Sequence, residues 1–347
     1  MQEKLSKIVE PLLKWFETNK RELPWRSDRQ PYHVWISEIM LQQTRIEAVK
    51  KYYENFMREL PDVESLSRIP EEQLLKLWEG LGYYSRAKNL KKAAAMIMQD
   101  HGGMFPNSYQ ELLKLPGVGE YTAGAIASIC FNEKVTAVDG NVLRVISRIT
   151  GSRKNVLLPE TKKETDKLLR QIMPEKSGMF NEALMELGET VCLPNGIPEC
   201  GSCPVRSECI AHKEELTAEI PVRIKKLKRK KQEKTIFLLI SDNYKTAIEK
   251  RPANGLLSGM YQLPNTDGFC TNEEMKNILK EWQLTFTEIS PLGEAKHAFT
   301  HIDWYMRGYL VKVKEENNRF LWVSPQELAK QYPLPTAFRI FVKTLYE

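Results

Sequence analysis

Four of the chain's six cysteines, Cys192, Cys200, Cys203 and Cys209, stand within eighteen residues, spaced C-x7-C-x2-C-x5-C. Nothing else in the sequence limits the fold as much. Four thiols in so short a loop cannot all be structural apolar residues. They suit one bound group, either a zinc ion held by four thiolates or a [4Fe–4S] cluster, and the spacing alone leaves that choice open. The N-terminus, MQEKLSKIVEPLLKWF, carries acidic residues and no cleavage pattern, so no export signal is expected. A large chain without one belongs in a reducing compartment, where such a cluster holds a metal more readily than disulfides. Cys130, between Ile129 and Phe131, reads as core, and Cys270 carries no signal.

The pattern changes once along the 347 residues. Up to about residue 212 apolar positions recur at helical spacing: Leu12, Leu13, Trp15, Phe16; Val34, Trp35, Met40, Leu41; Leu90, Ala94, Ile97, Met98. Pro70-Glu71-Glu72, Asn107-Ser108 and Asp139 before Val142 mark helix starts. No strand is expected in this part. Residues 213–234 read as a linker; Arg223–Lys231 carries seven positive charges in nine residues and serves either as a solvated connector or as a phosphate contact. Residues 235–347 read as α/β. Thr235–Ile240 and Trp304–Val313 are strands, the second interrupted at Gly308, and Ser324-Pro325-Gln326-Glu327 is a capping box. No run of about 18 uncharged apolar residues occurs, so no membrane span is expected. The net charge of +6 suits a polyanionic partner without demanding one.

Two motifs carry chemistry. Leu115-Pro116-Gly117-Val118-Gly119, followed by Tyr121-Thr122-Ala123-Gly124-Ala125, places two glycines between helical segments. Such a turn lets backbone N–H groups approach a phosphate at a helix N-terminus, although it also serves as a plain connection. Val138-Asp139-Gly140-Asn141 offers Asp139 as an N-cap, about twenty residues further on.

In this order the two motifs resemble the helix-hairpin-helix superfamily of base-excision glycosylases. Leu23-Pro24-Trp25-Arg26, Glu38-Ile39-Met40-Leu41-Gln42-Gln43-Thr44 and Trp78–Arg86 extend the resemblance, over almost all of the first 210 residues, to the adenine DNA glycosylase branch. The resemblance implies a multidomain α plus α/β protein: an all-α helix-hairpin-helix core with an iron–sulfur loop, then a Nudix-like α/β domain. Residues 25–135 would form a six-helix module inserted into a cluster-bearing half made of 1–24 and 136–212. DNA would lie across the cleft between them. In endonuclease III-like relatives a Schiff-base lysine stands two residues after the second hairpin glycine. Here that position is Tyr121, so the resemblance implies base removal without lyase chemistry.

The implied roles follow. Glu38, among apolar Ile36, Ile39 and Met40, would be buried, keep its proton near neutral pH and protonate adenine N7. Ionised Asp139 would stabilise the oxocarbenium-like sugar and could form a covalent intermediate. Tyr121 and Asn141 would orient Asp139 or water. Gln43 and Tyr83, with Leu41 and Thr44 beside them, would fill the gap left by the flipped base. Arg26 and Glu182 would read its polar edges, with Trp25 in the pocket wall. Gly117 and Gly119 would grip phosphates. The family's cysteine pattern is C-x6-C-x2-C-x5-C; the chain departs from it by one residue, in the turn-rich loop Leu193–Glu199. A [4Fe–4S] cluster is still the expected cofactor, pinning a basic loop that includes Arg206.

Residues 235–347 resemble the family's Nudix-like domain and lack the pyrophosphatase signature. Phe299-Thr300-His301 corresponds to a Phe-Ser-His loop that recognises oxidised guanine opposite adenine, with threonine in place of serine. The expected partner is duplex DNA containing an adenine mispair with 8-oxoguanine or guanine, bound by a monomer in the cytoplasm of a bacterium. Two other readings stand beside this one: a bifunctional glycosylase/lyase, and a mismatch-sensing DNA-binding protein without catalysis.

Overall fold

The computed structural model describes residues 2–224 and 229–346. The chain divides into two compact units, one of residues 1–68 and 89–225, the other of residues 69–88 and 226–347. Lys225 to Lys228, the middle of the basic run, lie outside the described residues.

The first unit is helical: α1 (Gln2–Ser6), α2 (Val9–Asn19), α3 (Pro31–Leu41), α4 (Ile46–Glu59) and α5 (Val63–Arg68) come before the division of the chain. Helix α6 (Glu71–Leu77) belongs to the second unit, and α7 (Ser85–His101) spans the boundary. Then follow α8 (Tyr109–Leu112), α9 (Glu120–Phe131), α10 (Gly140–Thr150), α11 (Pro159–Arg170), α12 (Ser177–Thr190) and α13 (Ile210–Lys213). The core of this unit is made by Leu12 and Phe16 of α2, Val142, Val145, Ile146 and Ile149 of α10, and Phe180, Ala183, Leu184 and Leu187 of α12. Helix α9 is buried along almost its whole length from Thr122 to Ile129 and packs against both α3 and α12. A helix apolar all round belongs inside a bundle, not on its surface. The expected starts are present: Ser108 accepts from the Glu111 N–H at the head of α8, and Asp139 accepts from the Val142 N–H at the head of α10. No helix among the described residues is long and apolar enough to cross a membrane.

The second unit holds a mixed sheet of β1 (Lys230–Ser241), β2 (Thr246–Lys250), β3 (Tyr261–Gln262), β4 (Asn265–Asp267), β5 (Phe286–Ala298), β6 (Ile302–Val313) and β7 (Leu321–Val323). The order is β3-β2-β1-β6-β5, with β4 on β1 and β7 on β2; β1 and β6 are parallel, in register from Lys230↔Ile302 to Ser241↔Val313. Residues 230–234 of the stretch read as linker are thus the start of β1. Alternate residues of β1 feed two cores. Ile236 and Leu238 pack with Leu328 of α15 (Pro325–Lys330) and Phe338 and Phe341 of α16 (Thr336–Val342). Phe237 and Leu239 pack with Met275 and Leu279 of α14 (Asn272–Glu281). Burial on both faces explains the unbroken apolar run of Thr235–Ile240. The capping box at Ser324 and Glu327 is formed.

Gly308 does not interrupt its strand. It pairs with Ile236 on one side and Gly293 on the other. A Cβ there would stand 2.3 Å from the Phe341 ring, so the glycine makes room for a core aromatic.

Candidate active site

One cleft in the helical unit, about 1680 Å³, is lined by Trp25, Arg26, Glu38, Leu41, Gln43, Thr44, Tyr121, Asp139, Asn141 and Glu182. Ten residues singled out from five separate stretches of sequence therefore line one cleft, with ample room for a base and its sugar.

Glu38 sits in the last turns of α3, whose residues from Val34 to Met40 are all buried. Glu38 is 7% exposed. Burial pushes its carboxyl up from the ordinary 4.5 to about 7; the Tyr121 hydroxyl opposes that rise, and the nearby Asp139 and Glu182 charges add to it. Tyr121, from the first turn of α9, donates to Glu38 Oε2 at 2.5 Å and lies 3.2 Å from Met185 Sδ. The sequence expectation gave Tyr121 to Asp139 or to water; its hydroxyl is bonded to the other carboxylate.

Asp139 caps α10. Its Oδ1 accepts the Val142 N–H at 2.7 Å and its Oδ2 accepts Asn141 Nδ2 at 2.9 Å. Burial raises this carboxyl too, but both donors favour the anion and oppose the rise. Asn141 itself is fixed, since its Oδ1 accepts Arg144 Nη2 at 2.8 Å and its Nδ2 also reaches Glu189 Oε1. Capping and a place in the cleft thus coexist in Asp139.

Arg26 and Glu182 meet: Nε lies 3.3 Å from Glu182 Oε1. Arg26 also pairs with Glu186 at 2.9 Å, and Glu186 holds Arg21 at 2.6 Å. Neither Arg21 nor Glu186 was singled out from the sequence. The available signal was a pair of glutamates four apart, Glu182 and Glu186, on what the structure shows to be α12. Trp25 is buried edge-on against Tyr53.

After α3 the chain turns sharply. Gln42 is the C-cap, Gln43 has φ of +60°, and the Thr44 N–H bonds to Leu41 O at 3.2 Å. This is a turn whose third position ordinarily takes glycine. A glutamine held there is strained, and such strain is concentrated at functional sites. Gly117, φ +77°, lies in the turn between α8 and α9, and a Cβ on it would stand 2.6 Å from that of Asn89. Gly119 is the N-cap of α9 and no side chain bonds to that end, so the first-turn N–H groups carry no side-chain cap.

Tyr83, Phe299, Thr300 and His301 belong to the second unit. Tyr83 has φ of +46° and is 46% exposed. Arg86 braces its loop, donating to Leu81 O and Gly82 O. The Tyr83 and Thr300 hydroxyls are 3.1 Å apart. Phe299 packs edge-on against Trp304 and His297, and its N–H bonds to Ile302 O, which sets Thr300 and His301 at the tip of the β5–β6 hairpin.

Cys192, Cys200, Cys203 and Cys209 line one separate cavity of the helical unit, and all are free thiols. Arg148 Nη1 donates to Cys192 Sγ at 3.3 Å and to Leu193 O at 2.9 Å, and Arg144 Nε donates to Cys192 O at 2.8 Å. Among the described residues no three His, Cys, Asp or Glu side chains converge as a single-ion site requires.

A family model described as HhH-GPD superfamily base excision DNA repair protein matches residues 36–175, and a NUDIX domain model matches residues 235–344. Fold and site thus define a base-excision repair protein of the helix-hairpin-helix class joined to a Nudix-like domain. Among solved structures the chain is similar to a thermostable thymine-DNA glycosylase (TM-score 0.55, 31% identity, 61% of this chain and 98% of that one). It is also similar to endonuclease III trapped as a covalent intermediate with DNA (TM-score 0.53, 26% identity, 62% and 99%). The adenine DNA glycosylase of Buchnera aphidicola subsp. Baizongia pistaciae is 34% identical over 91% of this chain and 90% of its own length. Those of Arabidopsis thaliana (36%, over 85% of this chain) and Homo sapiens (33%, over 84%) are longer, and the chain spans 55% and 64% of them. The chain belongs to the adenine DNA glycosylase family.

Proposed function

We propose that this chain is a monofunctional adenine DNA glycosylase of base excision repair, which extrudes an adenine mispaired with 8-oxoguanine or guanine and cuts its glycosidic bond. The observation that carries this reading is the pairing of two buried carboxyls that differ in how many donors they accept. Glu38 keeps its proton near neutral pH because burial disfavours the anion. Asp139 is bonded by two N–H donors that favour the anion. Burial raises both, but Asp139 accepts more donors that favour its anion, so Glu38 is the better placed to act as acid and Asp139 as anion. Glu38 would protonate the departing adenine at N7. Asp139 would stabilise the positive charge left on the sugar and could bond to it covalently. Tyr121, at the position where relatives with lyase activity place a lysine, has no amine for a Schiff base.

The remaining residues support binding. N–H groups without a side-chain cap at the start of α9, with the Gly117–Gly119 turn, suit a phosphate. The strained Gln43 and the exposed Tyr83 suit filling the gap in the stack, with Leu41 and Thr44 in the turn beside Gln43. Thr300 and His301, presented by a hairpin that Phe299 anchors, suit reading the base opposite. In this reading residues 1–212 carry catalysis, with 25–135 as the inserted module, and 235–347 carry recognition of the opposite base. The enzyme acts as a monomer on duplex DNA, in whichever compartment holds that DNA.

The four cysteines would hold a [4Fe–4S] cluster. Four thiols around one cavity fit a group held by four thiolates, and the Arg148 donor to Cys192 Sγ suits a thiolate. Bound there, the cluster would act structurally by fixing the 192–209 loop. The test of the reading is Glu38→Gln. Adenine release should fall by at least about a hundredfold, the usual worth of general acid catalysis, while duplex affinity is kept. Near-normal release would remove Glu38 from the mechanism.

A further inference from the structure

Arg26 is held at three nitrogens in the cleft, by partners of two kinds. Its Nε faces Glu182 Oε1 at 3.3 Å, its Nη1 donates to Arg21 O at 3.2 Å, and its Nη2 donates to Glu186 Oε2 at 2.9 Å. The Glu182 contact is long, and Glu182 also reaches Arg29 Nη2 at 3.7 Å. The Glu186 contact is short, and its carboxylate is otherwise committed. It accepts the Arg21 backbone N–H at 3.1 Å, Nε at 2.6 Å and Nη2 at 3.0 Å, and its side chain is 0% exposed. Burial would raise Glu186, but the bonds from Arg21 and then Arg26 outweigh it and hold the carboxyl below its ordinary range. Glu182, by contrast, is raised by its burial. Glutamates four apart on α12 thus do different work: one is a fixed anchor, the other an exchangeable contact.

We infer that Glu186, tethered by Arg21, is a positioning residue that holds Arg26 back from Glu182 and so sets the selectivity of the cleft for a base bearing a 6-amino group. This deepens the adenine-excision reading and rests on it. A 6-amino group is a donor and needs an acceptor oxygen; Glu182 offers one in the cleft beside Arg26, and its partner there is loose. When the base takes that oxygen, Arg26 keeps two of its three contacts, to Glu186 and Arg21 O, and stays in place. Without Glu186 the Arg26 guanidinium is free to close on Glu182 in a bidentate pair. That pair would occupy the acceptor that the 6-amino group requires. The loss should fall on bases that carry the amino group and spare those that lack it.

The test compares single-turnover base release from duplexes carrying either adenine or unsubstituted purine at the same position, for the wild type, Glu186→Gln and Arg21→Met. Thermal unfolding is followed in parallel. Glu186→Gln should lower adenine release by at least about tenfold and purine release by no more than about twofold, because a site built around a hydrogen bond loses most on the substrate that makes it. Arg21→Met, which keeps the Glu186 carboxylate but frees it, should shift the ratio in the same direction. Equal losses on both bases, or an unchanged ratio in a folded variant, would overturn the inference. If Glu186→Gln fails to fold, the Arg21→Met ratio decides alone. Failure of the wild type to release adenine at all would sink the underlying reading instead, so the two failures are distinguishable.

Discussion

Glu38→Gln should stabilise the helical unit, by an amount that grows as pH rises from about 4.5 to about 7. The Glu38 carboxyl goes from the ordinary 4.5 to about 7 on folding, chiefly through burial. Below about pH 4.5 it is neutral in both states and costs nothing. Between 4.5 and about 7 the unfolded chain ionises while the folded one keeps its proton, so stability falls as pH rises. Above about pH 7 the folded carboxyl ionises as well and the loss levels off. At about 1.4 kcal/mol for each pKa unit, the full penalty is about 3.5 kcal/mol. Glutamine carries no such penalty and can still accept from Tyr121. For a unit of this size, about 2–4 °C per kcal/mol gives a midpoint gain on the order of 7–14 °C at about pH 8, shrinking to a small difference at about pH 5. Thermal unfolding of wild type and variant at the two pH values measures it. A variant that gains no more over wild type at the higher pH than at the lower would refute the claim that burial holds the proton on Glu38.

Tyr121→Phe removes the one hydrogen bond that opposes the rise in Glu38. Its pH–rate profile for base release should therefore inflect at higher pH than the wild type's, and an inflection at lower pH would contradict the geometry. Cys203→Ser should lose iron and acid-labile sulfide in parallel, measured chemically on purified protein; a colourless wild type with stoichiometric zinc would exclude the cluster. Gly308→Ala sets a methyl against the Phe341 ring. It should destabilise the second unit by about 1–3 kcal/mol in denaturant unfolding without changing the transition of the helical unit.

The helical first half and the α/β second half were legible because core periodicity is local. Caps at Ser108, Asp139 and Ser324 were legible for the same reason: each bonds to a backbone group three residues on. The burial of Glu38 could be inferred from its apolar neighbours. Its partner could not, since Tyr121 is 83 residues away and nothing local says which of two carboxylates a hydroxyl will meet. Arg21 and Glu186 escape a sequence reading for a similar reason: an ion pair spanning 165 residues leaves no pattern beyond two glutamates on a buried helix. Gly308 shows the opposite difficulty. A glycine in a strand reads as a break, whereas its purpose is room for Phe341, on a helix that follows much later in the chain. Phe299 read as part of a recognition loop and also serves as the hairpin's anchor, because the ring of Trp304 lies against it.

The most direct test is single-turnover base release from duplexes with adenine opposite 8-oxoguanine, guanine or cytosine, with borohydride present in a parallel set. We expect free adenine, fastest opposite 8-oxoguanine and slowest opposite cytosine, with the strand left uncut until alkali is added and no trapped adduct. A borohydride-trapped protein–DNA adduct formed as fast as the base departs, or no adenine released from any duplex, would contradict it.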